Sequence, residues 1–349
     1  VKSEWSNVVG VPVTDVSSYL NKIQFKTANV DADGIKIAVT DIKHNGSSIY
    51  PDENGFYTIA NLEPGEALKN LVAYAKINDE DKVCDINISA APGTVTSSYS
   101  SSSTSQTYFT FYVKAASDET LQPSEYGIRI GNKYYPADEK GNVRIDGLVP
   151  AKKYEYYAYA VYNDKYYYSE AKTRSTYGLL PVVRKKEATV TTITLQGSCQ
   201  VYDATVKERW FEINGTKYNG GSLYLTGMAP NTTYEIYYCV STEEGSTEKG
   251  GKYTLTTDPL ELTILNPQPV SSTCAIVAAE TNISEDEPNV GFQWRKYDAP
   301  ETLPSSEGYA AIYDGRIEGY IKRLQSASFY NARAFYKSNS GKYYYSDWV

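Results

Sequence analysis

The sequence has few of the side chains on which most active sites depend. His44 is its only histidine, so a Ser–His or Cys–His nucleophile pair could form at one position only. That histidine precedes Asn45-Gly46, and this polar dipeptide indicates a solvated turn. The sequence therefore argues against hydrolases that use a histidine base.

Carboxylate chemistry and metal binding are also poorly represented. Three acidic clusters could supply a glycosidase pair, yet each lies in a polar, turn-like stretch where solvated carboxylates are expected. They are Asp79-Glu80-Asp81, Asp138-Glu139 and Glu285-Asp286-Glu287. The segment Asp31-x-Asp33-Gly34 lacks the remaining oxygen ligands of a calcium loop, so it predicts a turn. We expect neither an enzyme nor a bound metal or other cofactor.

Basic runs and long apolar runs are absent as well. The net charge is −8, the pI is about 5.0, and no basic run is longer than Arg184-Lys185-Lys186. Nucleic acid and anionic membranes need clustered cations, so neither is expected as a partner. No apolar stretch reaches 18 residues and no leader follows Val1, so we expect no membrane span, although a secretion leader could have been removed.

Tyrosine is abundant, with 35 copies against one methionine, so we expect amphipathic rings to supply much of the buried area. The stretch KYYYSE at 165–170 recurs as KYYYSD at 342–347. This repetition belongs to a larger one. A block of glycine, a large apolar residue, a polar residue and another apolar residue recurs as 34–37, 127–130 and 291–294, and with tryptophan for glycine as 210–213. The alternation predicts a half-buried strand in each copy.

A second block, apolar-x-Pro-x-x-x-Tyr, follows each first block. Its leading residues are Leu62, Leu148, Met228 and Leu324, separated by 86, 80 and 96 residues. The first copy has Leu68 at the tyrosine position and the fourth has Ser326 for proline. Helical periodicity is not convincing anywhere, and turn residues recur about every 8 to 12 residues, which predicts all-β sandwiches.

The second block and the strand after it resemble the corner and the F strand of fibronectin type III domains, as in Leu148-x-Pro150-x-x-x-Tyr154. The resemblance implies four fibronectin type III or immunoglobulin-like β-sandwich modules in series, and a tyrosine hydroxyl bonded to the corner backbone. The stretches 291–296 and 333–345 further resemble tandem modules of Bacteroidota cell-surface proteins. This fold hosts many functions, so the likeness alone assigns none.

We predict four modules: residues 1–93, which are divergent, 94–178, 179–258, and 259–349 with its last strand cut short. The predicted joins are short: Ala91-Pro92-Gly93, Thr176 to Pro181, and Asp258-Pro259-Leu260. Because 346–349 stop within a strand and 3–6 resemble that strand's end, we expect the chain to be part of a longer array.

Four cysteines are too few and too scattered for a disulfide framework or a zinc site. They are Cys84, Cys199, Cys239 and Cys274. Cys199 and Cys239 fall on the strands that immunoglobulins bridge, but Cys199 shares a face with Ile193 and Leu195. Cys239 lies opposite in parity to Ile236. Their Cβ atoms would point apart, so we predict free thiols.

Strand alternation divides each tyrosine triplet between two faces. Tyr167 and Tyr344 fall on the core side, the latter with Ser346 and Trp348, whereas the flanking tyrosines fall with Glu170, Lys172 and Asp347 on the solvent side. On the sheet of strands C, F and G this predicts an outer patch in module two, composed of Arg129, Tyr157, Tyr159, Tyr166 and Tyr168. Module four would carry Arg333, Phe335, Tyr343 and Tyr345, with Gln293 and Arg295. Module three, with Tyr237 and Thr254, would carry little.

Two functions remain open. The segment could be a non-catalytic extracellular spacer or adhesion segment of a larger bacterial surface protein, in which case cross-strand aromatic pairs merely stabilise a thin sandwich. Alternatively, the aromatic and arginine face could bind a polysaccharide or a protein. A third hypothesis, that the chain is an enzyme, is the weakest.

Overall fold

The computed structural model of the chain describes residues 11, 13–30, 33–284, 287–300 and 305–349. Secondary structure among them consists of β-strands and one 3₁₀ turn, Ser101–Ser103, which confirms the all-β class. Within these residues no helix has the length and apolar content needed to cross a membrane. The chain divides into two compact units, one of residues 1–148 and 152–177 and the other of residues 149–151 and 178–349.

The first unit contains two sandwiches, each made of a three-stranded sheet and a sheet of four main strands. In module one these are β1-β2-β5 and β4-β3-β6-β7; in module two, β8-β9-β12 and β11-β10-β13-β14, with β15 also paired to β13. The strands of module one are β1 Val13–Ser18, β2 Lys22–Thr27, β3 Ile37–His44, β4 Ser47–Ile49, β5 Tyr57–Ala60, β6 Leu71–Ile77 and β7 Glu80–Asp85. Those of module two are β8 Val95–Ser98, β9 Phe109–Ala115, β10 Glu125–Ile130, β11 Lys133–Pro136, β12 Asn142–Ile145, β13 Lys153–Tyr162, β14 Lys165–Tyr168 and β15 Lys172–Ser175.

Module three, in the second unit, repeats this topology with sheets β16-β17-β20 and β19-β18-β21-β22, and β23 pairs with β21. Its strands are β16 Leu180–Ala188, β17 Ile193–Gln200, β18 Val206–Ile213, β19 Thr216–Asn219, β20 Ser222–Leu225, β21 Thr233–Thr242, β22 Thr247–Lys249 and β23 Tyr253–Thr256.

Module four has a larger first sheet, β24-β26-β30-β29 with β25 paired to β26, facing β28-β27-β31-β32. Its strands are β24 Leu262–Ile264, β25 Gln268–Ser271, β26 Cys274–Thr281, β27 Val290–Lys296, β28 Ser306–Tyr309, β29 Ala311–Tyr313, β30 Arg316–Lys322, β31 Tyr330–Lys337 and β32 Tyr343–Tyr345. Beyond β32, Val349 exchanges two backbone hydrogen bonds with Ala332, where β15 and β23 pair in the other modules.

Each sandwich has its own apolar core, and tyrosine is a large part of three of them. Tyr156, Tyr162, Tyr238 and Tyr336 are at most 2% exposed. Phe111 packs on Tyr156 and Phe211 on Tyr238, with ring centroids 4.8 and 4.9 Å apart. The rings bury apolar area while their hydroxyls find polar partners at the edges, as Tyr162 does by donating to the carbonyl of Ala116. The predicted use of tyrosine as core material is therefore correct.

A sharp corner follows the last strand of each three-stranded sheet, or β30 in module four, and we call this segment the corner. The corners comprise residues 61–65, 147–151, 227–231 and 323–327. Each begins and ends with a residue in the left-handed region, from Asn61 (φ 62°) and Gly65 (φ 77°) in module one to Arg323 (φ 62°) and Ala327 (φ 54°) in module four.

The predicted tyrosine contact with the corner is present in modules three and four. The hydroxyl of Tyr234 accepts a hydrogen bond from the backbone N–H of Ala229 at 2.9 Å. The hydroxyl of Tyr330 accepts one from the N–H of Gln325, also at 2.9 Å. In module one, Leu68 cannot make this bond.

Within the first unit, the corner of module one is covered by module two. The backbone N–H of Leu20 donates to the carboxylate of Asp118 at 2.6 Å, and Leu20 also joins the core of module two. Glu63, in the corner, is bonded by Lys165 at 2.9 Å and by the Tyr167 hydroxyl at 3.3 Å. Gly93 of the predicted linker packs in the same junction, and a Cβ there would lie 3.0–3.3 Å from Pro64, Tyr162 and Tyr167.

Within the second unit, the corner of module three is covered by module four in the same way. The buried carboxylate of Glu287 accepts a hydrogen bond from the N–H of Gly227 at 2.8 Å. The side chain of Asn339 donates to the carbonyl of Thr226 at 2.7 Å, and the Tyr336 hydroxyl donates to that of Met228 at 2.6 Å. Both junctions therefore combine a carboxylate with side chains from the hairpin that joins the last two main strands.

Candidate functional site

The candidate site is the outer face, by which we mean the side of the four-stranded sheet that points away from the sandwich core. In module two, antiparallel register places Tyr157 opposite Arg129 and Tyr159 opposite Tyr168. The rings of Tyr166 and Tyr168 are stacked, with centroids 6.1 Å apart and planes at 12°. The structure thus brings together all five residues that the sequence predicted for this module.

Tyr159 does not have the exposed position that parity predicted. It faces the outer side, but its exposed fraction is 0% because Tyr134 and Tyr166 cover it, with ring centroids at 5.0 and 6.0 Å. Its hydroxyl donates to Glu125 at 2.6 Å. Burial, and then this carboxylate, raise the pKa of Tyr159 well above its ordinary value, so the phenol stays neutral. The prediction that it is exposed is wrong.

The exposed part of the patch therefore consists of the side chains around Tyr159. Tyr166 is 50% exposed, Tyr168 41% and Tyr134 39%, and the hydroxyls of Tyr134 and Tyr168 are 2.7 Å apart. The guanidinium of Arg129 lies 5.4 Å from the centroid of Tyr168 and donates to the carbonyl of Gly131. The result is a tyrosine surface with one cation at its margin.

In module four, Phe335 holds the position of Tyr159 and is likewise 0% exposed, so its predicted exposure is also wrong. Tyr309 and Tyr343 cover it, both at 5.4 Å. A parallel pair again forms this surface, the exposed Tyr345 and the half-buried Tyr343, with ring centroids 5.6 Å apart and planes at 8°. The same arrangement has therefore formed twice.

The arginines distinguish module four. The guanidinium of Arg333 lies between the ring of Tyr345, at 3.5 Å, and that of Trp348, at 4.4 Å. Arg295 contacts the same tryptophan at 4.7 Å, so cations and rings alternate along the face. Arg333 also donates to the Gln293 amide oxygen at 2.9 Å. Burial between the rings lowers the pKa of Arg333 from its ordinary value.

Trp348 was predicted to share the core side with Tyr344, and this is wrong. Ser346 bonds to Ala334 and Val349 to Ala332, so the chain advances three residues while its partner strand advances two. This extra residue is a β-bulge, which reverses the facing of later side chains. Module two has the same bulge after Ser169. Lys172 there reaches the carbonyl of Ser97 and therefore does not mark the outer face, as parity had suggested.

In module three the outer face is formed by ion pairs. Lys217 bonds Glu208 at 2.6 Å and Lys249 bonds Glu212 at 2.7 Å, and Lys249 lies over Tyr237 at 3.9 Å. The expectation that module three carries little aromatic surface did not include Trp210, which also lies on this face, with Lys217 over its ring at 4.4 Å. Such exposed ion pairs contribute little to stability, because water and salt screen them.

The thiols of module three point to opposite faces, as predicted. Cys199 packs on the core, whereas Cys239 lies on the outer face, where it is paired across the strands with Trp210. Both thiols are free, and burial raises the pKa of each. A raised pKa lowers the thiolate fraction, so neither has the features of a nucleophile.

Sequence reasoning missed Tyr134, Tyr309 and Trp348. The two-residue turn between β10 and β11 could have placed Tyr134 opposite Arg129. The segment before β28 has no comparable signal for Tyr309. In the described part of the chain, no group of three or more His, Cys, Asp and Glu side chains is arranged to hold a metal ion. Asp31, Glu285, Asp286 and residues 3–6 lie outside the described residues.

No known family model matches the sequence, and no curated protein matches it. Among solved structures, the FN1–FN3 domains of chicken CNTN1 are similar at 11% identity. The match covers 74% of this chain and 96% of that chain, with a TM-score of 0.23. The assignment of tandem sandwiches therefore rests on the strand order and register of the chain itself.

Proposed function

We propose that the chain is a non-catalytic spacer or adhesion segment of an extracellular or bacterial cell-surface protein, in which paired modules act as rigid lengths. The observation that carries this proposal is the closure of the module junction within each unit. A carboxylate that accepts a hydrogen bond, together with side chains of a hairpin, fixes one module on the corner of the module before it. A flexible chain of independent modules would need neither the carboxylate contact nor the hairpin contacts.

The junction of modules three and four supports rigidity in two further ways. Val190 belongs to module three by sequence but packs in the core of module four. A Cβ on Gly227 would lie 2.3 Å from the side chain of Asn339, so the two surfaces meet without free space. Shared core and close contact both restrict bending between the two modules.

Distances between spin labels in modules three and four test this proposal. Labels replace the exposed Tyr224 and Tyr313 by way of cysteine, in a chain with Cys199→Ser and Cys274→Ser. We expect a single narrow distance distribution. Asn339→Ala, which removes the bond to Thr226, should broaden it, whereas the control Asn266→Ala at an exposed site of module four should not. A broad distribution in the parent chain would contradict the rigid spacer.

A second candidate function is ligand binding by the outer faces of modules two and four. It is favoured by the parallel, half-exposed pairs Tyr166–Tyr168 and Tyr343–Tyr345, each beside an arginine. Flat aromatic rings stack on apolar faces of sugars or proteins, and arginine is favoured at binding hot spots. Tyr157 would contribute at the margin, whereas Tyr159 and Phe335 would support the surface from beneath.

A glycan array tests the carbohydrate form of this candidate. The parent chain is compared with Tyr166→Ala/Tyr168→Ala and with Tyr343→Ala/Tyr345→Ala, and Tyr224→Ala/Tyr313→Ala is the control for loss of exposed tyrosine. Binding should fall with the first two variants and persist in the control. Equal binding by all variants would exclude these faces as the site.

A further inference from the structure

The corner of module four is exposed, although the equivalent corners of modules one and three are covered. Arg323, Gln325 and Ala327 are solvent-exposed, and Phe329 beside them is 86% exposed. A groove of about 430 Å³ opens here, and its lining includes Pro269, Ala275, Leu324, Phe329 and Tyr330. Exposed aromatic and aliphatic side chains around a groove mark an interaction surface.

The charge of this corner differs from that of the covered corners. Lys322 and Arg323 are exposed cations, where module three has Thr226 and Gly227. A partner that presents carboxylates would therefore be complementary. The covered corner of module three does receive a carboxylate, Glu287, from the module that docks on it. In module one the carboxylate of the docking module, Asp118, accepts from Leu20 in the turn between β1 and β2, which lies beside the corner.

The hairpin between β6 and β7 of module one has the complementary charge. Its turn is Asn78-Asp79, with φ of 51° and 63°, and it continues as Glu80-Asp81. These four residues are exposed. The equivalent hairpin of module two has the same turn conformation, at Asn163-Asp164 (φ 47° and 62°), and is the one that docks on the corner of module one.

The hairpins of modules one and two indicate which residues would form an ion pair with the corner of module four. In module two, Lys165 follows the turn and bonds Glu63 of the corner. In module one, Glu80 follows the turn in that place. In the exposed corner of module four, Gln325 holds the position of Glu63, and Arg323, two residues before it, offers the cation. The ion pair would form with its signs exchanged. Asn78 would offer a side-chain amide at the tip, as Asn339 does at the junction of modules three and four.

We propose that copies of this chain associate head to tail, with the hairpin of residues 77–81 in one copy docked on the corner of residues 322–327 in the next. This inference goes beyond the spacer role, and the occupant of the groove is a second copy. Glu80 must exchange its same-strand partner Lys82, at 2.6 Å, for Arg323, so the association is weak and depends on salt.

Sedimentation equilibrium of the full chain from about 10 µM to about 1 mM tests the proposal. We expect the mass-average to exceed the 38.8 kDa of one chain at the upper end. It should return toward one chain in about 1 M salt, where the Debye length is only about 3 Å. A mass that stays at one chain throughout the range would overturn the proposal.

Charge exchange identifies the surfaces. Arg323→Glu and Glu80→Arg should each weaken association about tenfold or more, and the two together in one chain should restore it, because the pair re-forms with reversed signs. Arg184→Glu, with the same charge change at an exposed site of β16, should behave as the parent chain does. Association that survives Arg323→Glu, or that the double variant fails to restore, would overturn the assignment.

Discussion

Trp210 lies directly opposite Cys239 across β18 and β21, on the outer face of module three. At this place module two pairs Gly127 with Tyr159, and module four pairs Gly291 with Phe335. Each pair joins a large residue to a small one, and in module three the large one has moved to the other strand. The outer face is therefore a packed layer in which the two strands share one space.

The exchange predicts coupling between the two positions of module three. Cys239→Phe would place a second large ring against Trp210, and overpacking should lower the free energy of unfolding by about 1–3 kcal/mol. Trp210→Gly made in the same chain should recover part of that loss, giving an interaction energy of about 1 kcal/mol or more in a double-mutant cycle. Urea denaturation measures this interaction energy. Tyr237→Phe and Trp210→Gly form the control pair, whose effects on the free energy of unfolding should be additive. Additive effects of Cys239→Phe and Trp210→Gly would contradict the inference that the two side chains share one space.

The glycines of β10 and β27 are required by close approach of the neighbouring backbone. A Cβ on Gly127 would lie 2.1 Å from the carbonyl oxygen of Tyr135, and one on Gly291 would lie 2.1 Å from that of Gly308. Each change to alanine should lower the free energy of unfolding by about 1–3 kcal/mol, since the edge strand must move.

Gly308→Ala is the matched control for Gly291→Ala, because its Cβ would meet only the ring of Trp294 at 3.5 Å, an ordinary contact. It should change stability by less than about 1 kcal/mol. Thermal and denaturant unfolding provide the measurement. Equal effects at Gly308 and Gly291 would show that backbone approach is not the cause.

The sequence predicted the outer face, but not which of its rings would be covered. Alternation places Tyr157 and Tyr159 on one side of a strand, since side chains two residues apart share a face. The burial of Tyr159 depends on Tyr134, and that of Phe335 on Tyr309, both from neighbouring strands. Register between strands is set by turns and packing, which alternation within one strand does not contain.

The alternation of apolar and polar residues did not predict the bulges or the module junctions either. The extra residue after Ser169 and after Ser346 leaves composition unchanged but reverses the facing of Trp348. Asp118 binds Leu20 and Glu287 binds Gly227, both of them distant in sequence, so nothing local marks these carboxylates. The repeat itself was predictable because each copy keeps the same alternation and the same corner, which only a sandwich satisfies in all four places.

Burial predicts that the tyrosines of module two differ in their contribution to stability. Tyr159→Ala removes a fully buried ring and its bond to Glu125, and should lower the free energy of unfolding by about 3–5 kcal/mol. Tyr166→Ala removes a half-exposed ring and should cost about 1 kcal/mol. Denaturant unfolding compares the two. Similar losses for both would mean that the outer rings form one structural layer, without a separable exposed surface.

The junction of the first unit predicts a dependence of stability on pH. Burial would raise the pKa of Asp118, but hydrogen bonds from Thr120 and from the N–H groups of Leu20 and Leu121 outweigh it and hold that pKa below the ordinary value of 3.8. A carboxylate with a depressed folded pKa contributes stability above the unfolded pKa and loses it as pH falls through the folded value. Asp118→Asn should therefore lower the unfolding temperature near neutral pH, and the difference from the parent should shrink once the pH falls below 3.8. Glu139→Gln, at an exposed site of the same module, is the control. A difference that stayed constant into acid would mean that the charge of Asp118 does not hold the junction.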